Sequence, residues 1–347
     1  MKKERARITR RMFIRNSAGA IAAVSAHGLI PMSGGVELSK SLQPAMEHRK
    51  LGKTGLDVSI LSFGGGSQFL RNPDGTWEKM IETALDGGIN LFDTAPGYIA
   101  SKMGQIWDGK SVDSSEERYG KILPSYRKKI VLSTKLDTRN PDEAKAEFES
   151  SLRKLKTDHV DLLFIHAIDL PDNISDIEKG VYRSVVSFKE SGAARYIGFS
   201  SMGDATLAAG LLEKLDFDVV LLAMNATQYG DFARLVLPVA RKKNTGVMSM
   251  KLMRDIVGKE AAPAELFNYA LSLDGVATGL IGHAGIDALK DNINVARAFT
   301  AGSFGPDKRR ELEARLSHLS GPHTLSWARP GYRDWGLHEG NPTDLTA

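Results

Sequence analysis

Short apolar runs, each ended by a turn residue or one ionisable group, recur between residues 58 and 281, and stretches with apolar residues three and four apart separate them. Such alternation is the signature of βαβ units built around a parallel sheet. The pattern predicts strands over 58–63, 89–93, 129–135, 160–166, 195–200, 217–224, 246–251 and 276–281. Helices are predicted over 77–86, 141–155, 175–191, 204–213, 231–243, 263–273 and 285–300, the first closed by Gly87-Gly88 and the second opened by Asn140-Pro141. Eight alternating units close a (β/α)₈ or TIM barrel. Ahead of them, residues 49–58 place Gly52 and Lys53-Thr54-Gly55 between short apolar runs, which predicts a hairpin. From about residue 301 a charged helix over 307–319 and a tail with Trp327, Tyr332 and Trp335 make a C-terminal extension. Gly64-Gly65-Gly66 lacks the G-x-G-x-x-G spacing and its acidic partner, so it reads as a loop of small residues lining a pocket, not a dinucleotide fingerprint.

Composition narrows the class. The 347 residues are 42% hydrophobic and 25% charged, as in a globular protein. Of the formal charge of +4, the first 26 residues account for more than the whole, with seven basic residues against one acidic. The rest, with 39 basic and 41 acidic residues, is near neutral, and no basic patch argues for a nucleic-acid partner. The absence of cysteine excludes disulfides, thiolate nucleophiles, zinc–cysteine sites and iron–sulfur clusters. No metal site is predicted, and the redox compartment stays open.

The chemistry lies where the strands end. Ile89-Asn90-Leu91-Phe92 stops at Asp93, with Tyr98 five residues on; the third strand ends at Lys135 and the fourth at His166. Singly, each has an ordinary structural explanation, as a packing tyrosine, a core histidine or an internal ion pair. Three parallel strands bring Asp93, Lys135 and His166 to one rim with Tyr98 above it. In order and spacing these four resemble the Asp, Tyr, Lys, His tetrad of the aldo-keto reductase superfamily, and the likeness extends over about residues 48–300.

The resemblance implies an NAD(P)-dependent oxidoreductase that interconverts a carbonyl, whether aldehyde, ketone or sugar, and an alcohol by hydride transfer. Tyr98 would be the general acid/base, Lys135 the cation that makes a phenol usable near neutral pH, Asp93 the group that holds the lysine, and His166 the donor to the substrate oxygen. It also implies cofactor contacts. Ser200 and Ser201 stand where the family has Ser-Asn facing the carboxamide. Leu221 replaces a usual Gln, and Asn225 matches the Asn beyond it. In Met250-Lys251-Leu252, Lys251 would reach the pyrophosphate. The segment from Gly282 and His283 to Asn292 would meet the adenine, with Ala288 where an Arg often clamps a 2′-phosphate. The cofactor is therefore NADP or NAD. An inserted loop over 99–114, with Trp107 and Asp108, should overhang the mouth.

The N-terminus resembles a twin-arginine (Tat) signal, with Arg10-Arg11, Phe13, a mildly apolar run and Val24-Ser25-Ala26 as a cleavage-like end. The expected organisation is a signal over 1–26, a linker over 27–47, the barrel over 48–300 and the tail over 301–347. No stretch approaches 18 consecutive apolar residues, so no span is expected to remain after processing. The expectation is an exported, periplasmic protein, with the Tat machinery and a small-molecule carbonyl or sugar as partners. Because free nicotinamide nucleotide is scarce outside the cytoplasm, two further readings stand beside the first. One is a binding or sensor protein that retains a nucleotide; the other is a redox-neutral, sugar-modifying enzyme with a tightly bound cofactor.

Overall fold

The computed structural model describes residues 44–103, 112–169 and 171–332. The expected signal, most of the linker, Trp107, Asp108 and Trp335 lie outside the described residues. Strands β1 (His48–Lys50) and β2 (Asp57–Ser59) form an antiparallel hairpin, with His48 opposite Ser59 and Lys50 opposite Asp57. Eight parallel strands follow: β3 (Leu61–Gly64), β4 (Leu91–Asp93), β5 (Val131–Leu136), β6 (Val160–Ile165), β7 (Ala194–Ser201), β8 (Val219–Ala223), β9 (Gly246–Met250) and β10 (Val276–Gly282). They pair in chain order and close into a barrel where Gly279–Gly282 of β10 lies against Leu61–Gly64 of β3. Their almost unbroken burial follows from having side chains inside the barrel and helices outside it.

The strand expected over 58–63 is divided at Ile60. At the division Asn90 holds Ser59, its side chain accepting from Ser59 N at 2.8 Å and its own N–H donating to Ser59 Oγ at 3.1 Å, while Ile60 N donates to Glu47 O at 3.0 Å. The hairpin sits at the strands' N-terminal ends. Arg49 Nη1 donates to Leu271 O and Val276 O at 2.9 Å, Lys53 N to Asn244 O at 2.6 Å, and Tyr196 OH to Thr54 O at 2.7 Å. The approach is so close that a Cβ on Gly52, at φ +49°, would meet Gly246 N at 2.3 Å.

The helices carry the expected spacing, as in Thr76–Asp86, which buries Trp77, Met80, Ile81 and Ala84. Pro141–Leu155 is capped by Asn140, whose Oδ1 accepts from Asp142 N at 3.0 Å. Two expected helices are broken. The 175–191 segment becomes Ile174–Lys179 and Val181–Glu190, because Gly180 takes a non-helical conformation in which a Cβ would meet Asp176 O at 2.8 Å. The 231–243 segment becomes Phe232–Leu235 and Leu237–Lys242, because Pro238 has no N–H for the ladder. A helix not foreseen, Ser115–Ile122, follows the 99–114 loop and buries Glu116, Arg118 and Tyr119.

Beyond the helix Pro306–Leu316 the chain returns to the C-terminal rim. Trp327 is buried edge-on against Tyr229, with ring centroids 5.4 Å apart. Ser326 donates from both N and Oγ to Asp255 Oδ2, at 2.7 and 2.8 Å.

Candidate active site

Lys135 projects from β5 toward the end of β4, and its Nζ donates to Asp93 Oδ2 at 2.6 Å, to Thr94 O at 2.8 Å and, more weakly, to Tyr98 Oη at 3.4 Å. The same ammonium lies 4.7 Å from the centroid of the Tyr98 ring. Asp93 Oδ1 accepts from Ser133 Oγ at 2.6 Å. The side chains of Lys135 and Asp93 are only 1% and 2% exposed, so each charge depends on the other for what it has lost from water.

Backbone packing brings the tyrosine over this pair. After Asp93 the chain turns through Pro96-Gly97, and Tyr98 O accepts from Ser115 N at 3.0 Å. The ends of the inserted loop are tied together, with Ile99 bridged to Ser114 and Ser101 N and Oγ both bound to Asp113. Gly65 presses on the same turn from β3, its N donating to Asp93 O at 2.7 Å; a Cβ there would meet Ser115 Oγ at 2.4 Å. That close approach is why the middle glycine of the Gly64–Gly66 run is needed.

His166 follows β6 and stands edge-on to Tyr98, with centroids 5.6 Å apart and planes at 78°. Its Nδ1 is 2.5 Å from Asp137 Oδ1. Arg139 donates to His166 O at 2.7 Å and to Ala167 O at 3.0 Å while pairing with Asp172, and Ala167 takes a left-handed φ of 46°. Asp137 is itself positioned, since its N donates to Glu147 Oε1 at 2.7 Å. Burial, with the neighbouring Asp137 carboxylate second, pushes Glu147 up to about 7. Burial also raises Glu116, which sits behind β5 and accepts from Thr134 Oγ1 at 2.8 Å. The structure thus brings Asp93, Tyr98, Lys135 and His166 together. Asp137 was not foreseen, because it lies past the last residue of β5 in a polar run that reads as loop.

A cleft of about 750 Å³ runs from Asp93 and Tyr98 across the ends of β3 and β8–β10 to the helix Ile286–Arg297. Of the expected cofactor residues, Lys251, Leu252 and Asn292 line it, as does Leu221. Three others have their polar groups engaged elsewhere, and a fourth, His283, is buried with its Nδ1 3.2 Å from Asn292 Nδ2. Ser200 Oγ accepts from Ala167 N at 2.7 Å, and Ser201 Oγ donates to Asp169 at 2.9 Å. Asn225 ties Thr227 to Lys251 O. His283 packs its ring 5.4 Å from that of Phe63, and burial pushes it down to about 3, so it is a neutral wall residue.

Sequence reasoning missed Arg254, Ser326 and Arg329, which also line the cleft. The tail's Tyr332 had been noticed without its target. It lies over Lys251, whose Nζ donates to its hydroxyl at 3.3 Å, and over Arg254, 5.7 Å from its ring.

The cleft has the size of a cofactor site. Its midsection carries the cations Lys251 and Arg254, and its far end reaches the N-terminal turns of Ile286–Arg297, where backbone N–H groups favour anions. These residues fit a dinucleotide. Ala288 and the carboxylate-bearing Asp291 face that far end. Among the described residues, no group of three or more His, Cys, Asp or Glu is arranged to hold a metal ion, and no helix is long and apolar enough to cross a membrane.

Residues 61–255 match the aldo/keto reductase family. The oxidoreductase YrpG of Bacillus subtilis, described as uncharacterized, is 29% identical over 225 residues, covering 59% of this chain and 65% of its own. The chain therefore spans slightly less than two thirds of that relative. An L-galactose dehydrogenase of Arabidopsis thaliana is 25% identical over 250 residues, covering 69% of this chain and 75% of its own. Among solved structures, the holo form of an aldo-keto reductase from Bacillus halodurans superposes with a TM-score of 0.61, at 22% identity, over 78% of this chain and 96% of its own. At that identity the likeness concerns the fold.

Proposed function

The chain belongs to the aldo/keto reductase family, and from that premise we propose that it is an NAD(P)-dependent oxidoreductase interconverting a small-molecule carbonyl and an alcohol. The observation that carries this reading is the buried ammonium of Lys135 held between the Asp93 carboxylate and the Tyr98 hydroxyl. A nicotinamide held in the cleft would supply or take the hydride. Tyr98 gives its proton to the substrate oxygen, or takes one from it. The adjacent Lys135 cation stabilises the phenolate side of that exchange, and Asp93 keeps the lysine charged and aimed. His166 hydrogen-bonds the substrate oxygen and orients it.

Lys251, Arg254 and the start of Ile286–Arg297 would hold the phosphates. Ala288 offers no cation to a 2′-phosphate and Asp291 repels one, so NAD is favoured over NADP. Replacing Tyr98 by Phe is expected to lower kcat/KM by about 10²–10⁴-fold without changing nucleotide affinity or melting temperature. Equal residual activity in both proteins would remove Tyr98 from the chemistry.

Residues 1–26 act as a twin-arginine signal in this reading, followed by the linker to residue 47, the barrel to 300 and the tail. An Arg10→Lys, Arg11→Lys double substitution should leave the protein unprocessed in the cytoplasm. An exported protein and a sugar-dehydrogenase relative together favour a sugar as substrate.

One feature supports the second reading, a retained cofactor in a redox-neutral reaction. The C-terminal segment crosses the cleft, latched by Ser326 to Asp255 and laid by Tyr332 over Lys251 and Arg254. Denaturing the purified exported protein and measuring released nucleotide separates the two. Near one nucleotide per chain, with turnover needing no added cofactor, favours retention; an empty protein that turns over with added NAD favours exchange.

A further inference from the structure

Asp137 adds a constraint to His166 that the four-residue arrangement does not contain. An ionised carboxylate can only accept a hydrogen bond, so at 2.5 Å a proton must lie between Asp137 Oδ1 and His166 Nδ1. A neutral imidazole has one N–H. If it is committed to Asp137, Nε2 carries a lone pair and can only accept. A carbonyl oxygen is also only an acceptor, so Nε2 can donate to it only when the pair holds a second proton.

We propose that Asp137 is a positioning residue that makes the Asp137–His166 pair count protons and so decide whether the substrate oxygen finds a donor on His166. With two protons Nε2 donates to that oxygen; with one it carries only a lone pair and cannot hold a carbonyl, while the single hydroxyl proton of an alcohol is left for Tyr98. The proposal rests on the oxidoreductase reading above and on the substrate oxygen meeting His166.

The surroundings suit such a pair. Both side chains are shielded, at 1% exposure for His166 and 14% for Asp137. Among the described residues, groups on several elements surround the imidazole. Tyr98 faces its ring, with Lys135 and Asp93 behind the tyrosine on β5 and β4. Glu147, on Pro141–Leu155, binds the Asp137 backbone. Arg139 holds the His166 carbonyl and is paired with Asp172. The Lys135 charge is matched by Asp93 and that of Arg139 by Asp172, and Asp137 is a carboxylate in direct contact with the ring.

The discriminating variant is Asp137→Asn. An amide can accept through its oxygen or donate through its nitrogen, so it can hold Nδ1 unprotonated and let a neutral imidazole carry its proton on Nε2. The donor to a carbonyl then persists at high pH. Nitrogen-15 NMR of histidine-labelled, substrate-free, full-length protein, scanned from about pH 5 to 9 and assigned with His166→Gln, reads this directly. The wild type should keep Nδ1 protonated throughout and lose the Nε2 proton as pH rises. Asp137→Asn should show Nε2 protonated in its neutral form. A wild-type neutral imidazole protonated on Nε2 overturns the proposal whether or not a substrate is known.

Kinetics give an independent readout. Wild-type kcat/KM for carbonyl reduction should fall by about tenfold per pH unit above the titration, and that of Asp137→Asn should stay flat over the same range. Parallel profiles overturn the proposal, as does a limb abolished by Glu147→Gln, which would assign it to Glu147. Absence of all carbonyl or alcohol turnover would instead count against the oxidoreductase reading, and the NMR result would still decide the proton count.

Discussion

Asp93 and Asp161 are both buried barrel carboxylates with a cation at 2.6 Å, yet they sit at opposite ends of their strands and in different dielectric surroundings. Asp161, next to the start of β6, binds Arg127 and Arg195, whose side chains are 15% and 48% exposed, and accepts from Leu132 N at 3.0 Å. Its cations keep part of their hydration, and the carboxylate serves as a staple between β5, β6 and β7. At the other end Asp93 faces a lysine that has lost nearly all its water. Folding does not require that arrangement, since buried ion pairs often contribute less than apolar residues of similar volume. The comparison separates a charge kept for cohesion from a charge kept for chemistry, as expected of the two ends of such a barrel.

Substitutions can break this contrast. The largest loss of stability should come from Lys135→Met alone, about 3–5 kcal/mol, because it leaves the Asp93 carboxylate buried and unpaired. Adding Asp93→Leu should recover stability to within about 1 kcal/mol of wild type while leaving the protein inactive. If the double variant is as unstable as the single, the upper pair is a staple as well. Asp161→Ala should cost less, about 1–3 kcal/mol, because it removes the acceptor of the buried Leu132 N–H while both arginines keep part of their hydration; activity per folded molecule should be unchanged in denaturant-calibrated assays.

Gly65→Ala should cost about 1–3 kcal/mol through overpacking and should reduce activity too, since the intruding Cβ meets the turn that carries Asp93. A further effect is pH-dependent. Glu147 is raised to about 7 from 4.5, so between those values the folded protein holds a proton that the unfolded chain has released. Stability should therefore decline as pH rises through that window, and Glu147→Gln should flatten the decline in melting temperature.

What the sequence made legible divides along the same line. Asp93, Lys135 and His166 stood out because each interrupts an apolar run, and the parallel sheet then brings them to one rim. The eight strands were readable for the same reason, although the bend at Ile60 was hidden because both sides of it are apolar. Ser115–Ile122 escaped notice because its buried face carries Glu116 and Arg118, which erase the amphipathic pattern. Arg118 is satisfied there by Val112 O, Phe69 O and Asn72 O, partners far from it in sequence or inside a loop. Along the cleft, motif matching found Lys251, Leu252 and Asn292. It also pointed to Ser200, Ser201 and His283, whose polar groups or rings serve the protein's own loops and walls. Whether a hydroxyl faces a ligand or a neighbouring strand is a tertiary fact, and so is the reach of a tail from Ser326 back to Asp255.

The order of the strands has a consequence for how the molecule is made. Asp93, Lys135 and His166 lie on three successive, neighbouring strands within one continuous stretch of chain, whereas barrel closure joins β3 to β10 across most of the domain. Contacts near in sequence form early, and those that close long loops form late. In chain order Asp93, Lys135 and His166 are all made before β7–β10, so an unfinished chain in which β3–β6 had paired would carry its lysine and aspartate on an open sheet with a raw edge on each side. In such a chain those charges would stand open to water and to other chains, and it is the closed barrel that makes them private.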